Sequence, residues 1–302
     1  MCAFPAPLTR RAMLRHTAEA AAFSLGCSAF APLLAAPASR GFKIGACDWS
    51  LDKRGDPAAL DVAKQIGLDG VQIDFGTAGN NLRLRTPEHQ QAYRAAMQRT
   101  GLAVSSLALC EMNDVPLKSD PRAAAWLDQS LDVCHVMGLP LVMTASFGRG
   151  DLDMSHTEEI DRFVKVLRDV VPKAEKLGII IGLENYLSAA DNRKIIDRVG
   201  SPQVKVYYDV GNSTDKGRDV AQEIRALRKL ICEFHAKDGP HMLGQGRIDF
   251  KQVRKALDDI HYNGWLNLEA AAPNGIVADY KAQLKFLRGL FPANTGSKRA
   301  SS

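Results

Sequence analysis

Four side chains able to bind a cation or move a proton stand at the ends of successive apolar segments in the second half of this chain. Glu184 follows IIIGL, Asp209 follows VKVYY, His235 follows ICEF and Glu269 follows WLNL. Each run reads as a buried strand. The steps between the four residues are 25, 26 and 34, about one strand-helix-strand unit each. In a barrel of parallel strands, the carboxyl ends of consecutive strands open on one mouth. Three carboxylates and one imidazole meeting there would bind a divalent metal. A carboxylate-rich set with a single histidine suits Mn2+ first, or Mg2+, with Co2+ or Zn2+ able to substitute. A lone carboxylate at a strand end has a plainer explanation, capping the next helix or pairing with an arginine. Four such residues on four adjacent strands are much less simply explained that way.

The elements that must position these residues are legible from residue 42 onward. Apolar runs predict strands at 42–47, 70–75, 102–109, 140–145, 179–184, 204–209, 231–237 and 265–269. Amphipathic stretches predict helices at 57–66, 87–100, 121–137, 157–177, 192–199, 219–229, 250–259 and 276–290. Asp56 before Pro57, Thr86 before Pro87 and Asp120 before Pro121 read as N-caps, and Gly178 as a helix stop. Eight strand-helix units over about 250 residues predict a single α/β domain, a (β/α)8 TIM barrel spanning residues 42–290. The competing architecture is an open doubly wound sheet. It is disfavoured because no GxGxxG follows the first strand, and Gly244-Gln245-Gly246 comes only after the seventh.

The ends of the chain read differently. Residues 1–38 carry Arg10-Arg11, an Ala-rich apolar stretch and Ala36-Pro37-Ala38, the order of a twin-arginine export signal. That predicts a periplasmic protein; the structural alternative is an N-terminal arm. The apolar stretch contains Glu19 and is only mildly hydrophobic, which argues against stable membrane insertion. Residues 291–302 read as a polar, disordered tail. Of 302 residues, 46% are hydrophobic and 24% charged, with a net charge of +5. Much of the excess lies near the ends, in Arg10, Arg11, Arg15, Arg40, Lys298 and Arg299. This is not the clustered basic face of a nucleic-acid-binding protein. Cys47, Cys110, Cys134 and Cys232 show no CxxC spacing and read as buried, reduced thiols.

The set GLEN, YYDVGN, FHAKD and NLEA resembles the sugar phosphate isomerase/epimerase superfamily, with xylose isomerase-like barrels that include ketose 3-epimerases and hydroxypyruvate isomerases. The resemblance covers residues 42–290. It implies that Glu184, Asp209, His235 and Glu269 hold one divalent metal ion and that Glu184 and Glu269 exchange protons with a carbohydrate substrate. Such a metal acidifies the C–H between a carbonyl and a hydroxyl, and an enediolate results. Two carboxylates on opposite sides of the substrate then give epimerisation, while return of the proton to the adjacent carbon gives isomerisation. An alternative on the same site is a lyase or hydrolase acting on 3-keto sugars or glycosides. A non-catalytic sugar-binding barrel has no need of an intact ligand set. An endonuclease IV-like nuclease needs several more strand-end histidines. His16 falls in the leader, and His89, His135 and His261 fall in or beside helices.

Expected substrate contacts are Trp49, Glu111, Asn185, Asn212, Lys237 and His241, with Gly244 and Gly246 turning the loop beside them. Asn80, Asn81, Arg83 and His156 are weaker candidates. Two positions depart from the ketose epimerase pattern: Asn212 near a usual histidine, and His241 at a usual arginine. No Gly-rich phosphate cradle or arginine cluster is evident, which favours an unphosphorylated substrate. The resemblance leaves a homodimer open.

Overall fold

The computed structural model describes residues 41–293, so the expected leader and most of the expected tail lie outside the described residues. Eight strands close on themselves: β1 (Lys43–Cys47), β2 (Gly70–Asp74), β3 (Ala103–Leu109), β4 (Leu141–Ser146), β5 (Ile180–Asn185), β6 (Val204–Asp209), β7 (Ile231–Ala236) and β8 (Trp265–Leu268). Each pairs in parallel with its sequence neighbour, and β1 pairs with β8. Closure excludes the open doubly wound sheet. The fold is a single (β/α)8 barrel. Its strands are apolar along most of their length because helices cover the outside and side chains fill the inside.

The helices are α1 (Ala59–Ile66), α2 (Pro87–Thr100), α3 (Pro121–Met137), α4 (Thr157–Leu177), α5 (Ala189–Val199), α6 (Val210–Asp215), α7 (Val220–Leu227), α8 (Phe250–Asp259) and α9 (Ile276–Leu290). Short polar residues start several of them. Thr86 accepts from the His89 N–H and Asp120 from the Arg122 N–H, each followed by a proline at the first helical position. Gly178 ends α4 at φ +68°. Asp56 does not cap α1 as expected. It fastens the Ala58 N–H at 2.9 Å in the preceding turn, and the helix starts at Ala59. Ser188 caps α5, which starts at Ala189, three residues before the expected start at Asn192. Helix α6 has no counterpart in the sequence reading. Asp209 itself caps it, taking the N–H groups of Gly211 and Asn212 on Oδ1 at 2.6 and 2.9 Å.

The barrel's amino end is sealed by Phe42 and Phe291, whose rings meet edge to face at 5.3 Å. The Phe42 N–H donates to the Pro292 carbonyl at 3.0 Å. The ordered fold therefore takes in Phe291 and Pro292, just past the expected boundary at 290. The four cysteines among the described residues are free thiols. No described helix is long and apolar enough to cross a membrane.

Where β1 and β2 end, two carboxyl groups are buried side by side. Asp48 Oδ2 accepts the N–H groups of Gly55 and Asp74, both at 2.9 Å. Asp48 Oδ1 has no hydrogen-bond partner. Asp74 is paired with Arg54 Nε at 3.1 Å. Burial, reinforced by Asp74, pushes the Asp48 pKa up to about 8. The folded chain thus keeps a proton that the unfolded chain loses near pH 4. Asp48 therefore stabilises the fold fully below about pH 4, and the contribution is lost as pH rises through about 8, with a slope of about 1.4 kcal/mol per pH unit. Asp48→Asn keeps the shape without the ionisation. Its stability relative to the parent should rise between about pH 5 and about pH 7.5. Urea unfolding at both values checks this; a pH-independent difference between variant and parent would show that Asp48 is already ionised.

Candidate metal centre

The four residues singled out by spacing meet at the barrel mouth. Glu184 is the penultimate residue of β5, Asp209 the last of β6, His235 the penultimate of β7, and Glu269 the first after β8. Asp209 and His235 face each other across the β6–β7 ladder. One potential ligand atom from each of the four lies within 4.8 Å of the others, and no other such group occurs among the described residues. His235 Nδ1 is 2.6 Å from Glu184 Oε1 and 3.7 Å from Glu269 Oε2. Glu269 Oε1 accepts from the Trp49 indole N–H at 2.9 Å, and its Oε2 from Lys237 Nζ at 3.0 Å. Lys237 Nζ also approaches Asp209 Oδ2 to 3.7 Å.

The donor set fits a hard divalent cation. Asp209 Oδ2 is buried and has no hydrogen-bond partner, although its sister oxygen takes two N–H donors. An orphaned buried carboxylate oxygen facing two glutamates and an imidazole is costly unless a cation compensates it. The electrostatics agree. Burial, with Glu269 and Glu184 nearby, pushes the Asp209 pKa up to about 7 against the pull of Lys237. Burial works against a charged His235, but Glu184 and Glu269 outweigh it and raise its pKa to about 9. Burial also works against an ionised Glu269, yet His235, Lys237 and Trp49 hold that carboxyl below its usual range.

The expected substrate contacts are placed unevenly. Trp49 and Lys237 belong to the cluster. Lys237 pairs with Glu269 and Asp209, not with Asp238 or Glu184. Its stem passes so close to Gly211 that a Cβ there would stand 2.8 Å from Lys237 Cγ, so only glycine fits. Asn212 is buried in the first turn of α6, where its N–H serves Asp209. Asn185 exchanges hydrogen bonds with Asn192 at 3.0 and 3.2 Å and accepts from the Leu187 N–H. It follows Glu184 directly, so strand alternation sends it to the opposite face, where it anchors α5. Glu111 takes the Ala78 N–H at 2.9 Å and fastens the loop after β2. Asn80 closes a turn in that loop, with its Oδ1 accepting the Thr77 N–H. His156 is exposed beside Glu159.

His241 is exposed on the rim of a cavity of about 100 Å³ that Gly211, Thr214, Asp215, Asp238 and Arg247 also line. Gly244 and Gly246 turn the loop around Asp238. Buried Asp238 accepts the N–H groups of Gly244, Gly246 and Ile248 at 2.9–3.1 Å. A Cβ at Gly246 would lie 2.2 Å from Asp238 Oδ1. The loop wraps around a carboxylate, and the glycines permit that approach.

Sequence reasoning passed over Gln72. This amide is fully buried in β2, with Oε1 2.6 Å from His235 Nε2. Its only signal in the sequence is a lone amide within the otherwise apolar GVQI.

A family model described as a xylose isomerase-like TIM barrel matches residues 60–290. A 2-epi-5-epi-valiolone 7-phosphate 2-epimerase of an Actinoplanes species is 32% identical, over 71% of this chain and 82% of that one. An L-ribulose-5-phosphate 3-epimerase of Escherichia coli is 25% identical, over 68% of this chain and 78% of that one. The solved D-psicose 3-epimerase of Clostridium cellulolyticum, with D-tagatose, superposes with a TM-score of 0.69 at 19% identity, covering 83% of this chain and 99% of that one.

Asp238→Ala leaves three N–H groups without their acceptor. It should cost about 2–4 kcal/mol in urea unfolding and release the loop around Gly244 and Gly246. Unchanged stability, with unchanged amide exchange at Gly244 and Gly246, would count against this loop anchor.

Proposed function

Because this chain belongs to the xylose isomerase-like TIM barrel family, we propose that it is a sugar epimerase or isomerase using one divalent cation held by Glu184, Asp209, His235 and Glu269. The enzyme class rests on relatives named as epimerases. The observation that carries the metal reading is the convergence of four ligand atoms within 4.8 Å around a buried, unpartnered Asp209 oxygen. Mn2+ is the cation best suited to this oxygen-rich set.

A divalent cation there would acidify the C–H beside a sugar carbonyl and stabilise an enediolate. The proton itself is moved by side chains. Asp209 is unsuited to that work, because Oδ1 is committed to two backbone N–H groups. Glu184 and Glu269 accept only from side chains, His235 for the first, Trp49 and Lys237 for the second. They are therefore the acid/base pair. Glu269, held ionised, is suited to accept a proton, and Lys237 beside it to donate a hydrogen bond to a substrate oxygen. Delivery of the proton to the opposite face of the same carbon gives epimerisation; delivery to its neighbour gives isomerisation.

The substrate is a carbohydrate. An unphosphorylated one is favoured, since Arg54 and Arg247 are engaged by Asp74 and Asp215. A periplasmic location, as residues 1–38 suggest, fits the same choice.

Two outcomes test the reading. Metal analysis by plasma mass spectrometry should find about one divalent ion per chain in the protein and none in His235→Ala. A protein that takes up no metal when supplied would remove this reading. Glu269→Gln should lower the exchange of substrate C–H with D2O by about 10²–10⁴-fold while the metal stays bound. Exchange at the parental rate would take the proton-transfer role away from Glu269.

A further inference from the structure

Gln72 presents one end to His235 and the rest to two sulfur atoms. Its Oε1 is 2.6 Å from His235 Nε2 and 3.3 Å from Cys47 Sγ. Its Nε2 is 3.6 Å from Met143 Sδ. A thioether sulfur can only accept, so the amide NH2 belongs on the Met143 side. A thiol can donate, which suits the amide oxygen facing Cys47. The Met143 sulfur therefore sets the direction of the amide, and the Cys47 thiol, 3.3 Å from both Gln72 Oε1 and His235 Nε2, fits that direction. All four side chains are buried, with exposures of 0–1%. Reversal would set Gln72 Oε1 against the Met143 sulfur, acceptor against acceptor.

The direction of the amide decides the state of the imidazole. Oε1 is an acceptor only, so His235 must carry a proton on Nε2. That leaves Nδ1, 2.6 Å from Glu184 Oε1 and 3.7 Å from Glu269 Oε2, as the nitrogen whose proton a cation would replace. A reversed amide would call for a lone pair at Nε2 and leave the proton on Nδ1, where it would block a cation. The ring plane is fixed independently, by Tyr207 at 4.5 Å and by Trp49 at 6.0 Å between ring centroids.

The geometry points to Gln72 as a positioning residue that sets the His235 tautomer and so selects Nδ1 as the atom offered to the divalent cation. Met143 locks the amide in turn. This rests on the metal reading above. It assigns a task to two residues, on β2 and β4, that stand outside the four ligands.

The experiment is Zn2+ binding by competition with a chelating dye, using the parent, His235→Ala, Gln72→Met and Gln72→Glu. Methionine fills the glutamine volume without a comparable acceptor, while glutamate restores one. Gln72→Met is expected to bind Zn2+ about 10–100-fold more weakly, and Gln72→Glu to recover most of that loss. Melting of the metal-free variants shows that they are folded. Long-range proton–nitrogen correlation spectra of the Zn2+-loaded parent, labelled with 15N-histidine, should show His235 protonated at Nε2 with Nδ1 bound to metal. This readout needs no variant and stands even where Gln72→Met fails to fold. Metal at Nε2, or parental affinity in folded Gln72→Met, would overturn the assignment to Gln72 while the metal site stands. A parent that binds no Zn2+ would overturn the metal reading and this inference with it.

Discussion

Mutual repulsion among three carboxylates is the constraint around which the mouth of this barrel is arranged. At separations near 4.8 Å, two full charges oppose each other by about 3–4 kcal/mol at an effective dielectric of about 20. Burial raises the cost for Asp209 above all. Positive charge from His235 and Lys237 provides the compensation. Both come from β7 or its immediate end, so one strand supplies the counter-charge for carboxylates on three others. The alternation of β7 makes this workable. His235 and Lys237 are two apart and share a face, while Phe234 and Ala236 turn outward into the packing against helices.

That constraint explains several small residues nearby. Gly211 must lack a side chain so that the Lys237 stem can reach Asp209 and Glu269. Beneath these four residues lies a second, hydrogen-bonded polar layer. Glu233 accepts from Ser106 and Asn267, and Asn267 also donates to Tyr207, whose ring packs on His235. The four converging residues therefore sit on a layer whose hydrogen bonds hold their orientation.

Strand period, helix caps and the convergence of Glu184, Asp209, His235 and Glu269 were legible because each is a local or regularly spaced signal. Thr86, Asp120 and Gly178 act where their types predict. What the sequence does not carry has equally local causes. Asn185 adjoins Glu184 in sequence, but neighbours on a strand point to opposite faces. Helix α6 gives no signal of its own because it is short and its cap, Asp209, also has the type and spacing of a ligand. The backbone N–H that reaches Glu111 and the carboxylate that fills the space at Gly246 are tertiary contacts that a place in a loop does not reveal. Gln72 depends on a side chain 163 residues away, and no periodicity carries that information.

The carboxylates around the mouth divide by what they accept. Asp48, Asp74, Glu111 and Asp238 each take backbone N–H groups, and each ties a loop to a strand end. Glu184 and Glu269 take only side-chain donors, which can rearrange when a cation or a substrate arrives. Side-chain length contributes to the division. An aspartate at a strand end lies within reach of the N–H two residues on, as Asp74 and Asp209 show with Gly76 and Gly211. A glutamate there extends past that N–H into the mouth. Asp209 belongs to both groups: one oxygen is fixed by the start of α6, and the other is left without a partner beside the glutamates. That fixed oxygen makes Asp209 the rigid member of the four converging residues, whereas the two glutamates are held only by side chains that can rearrange around it.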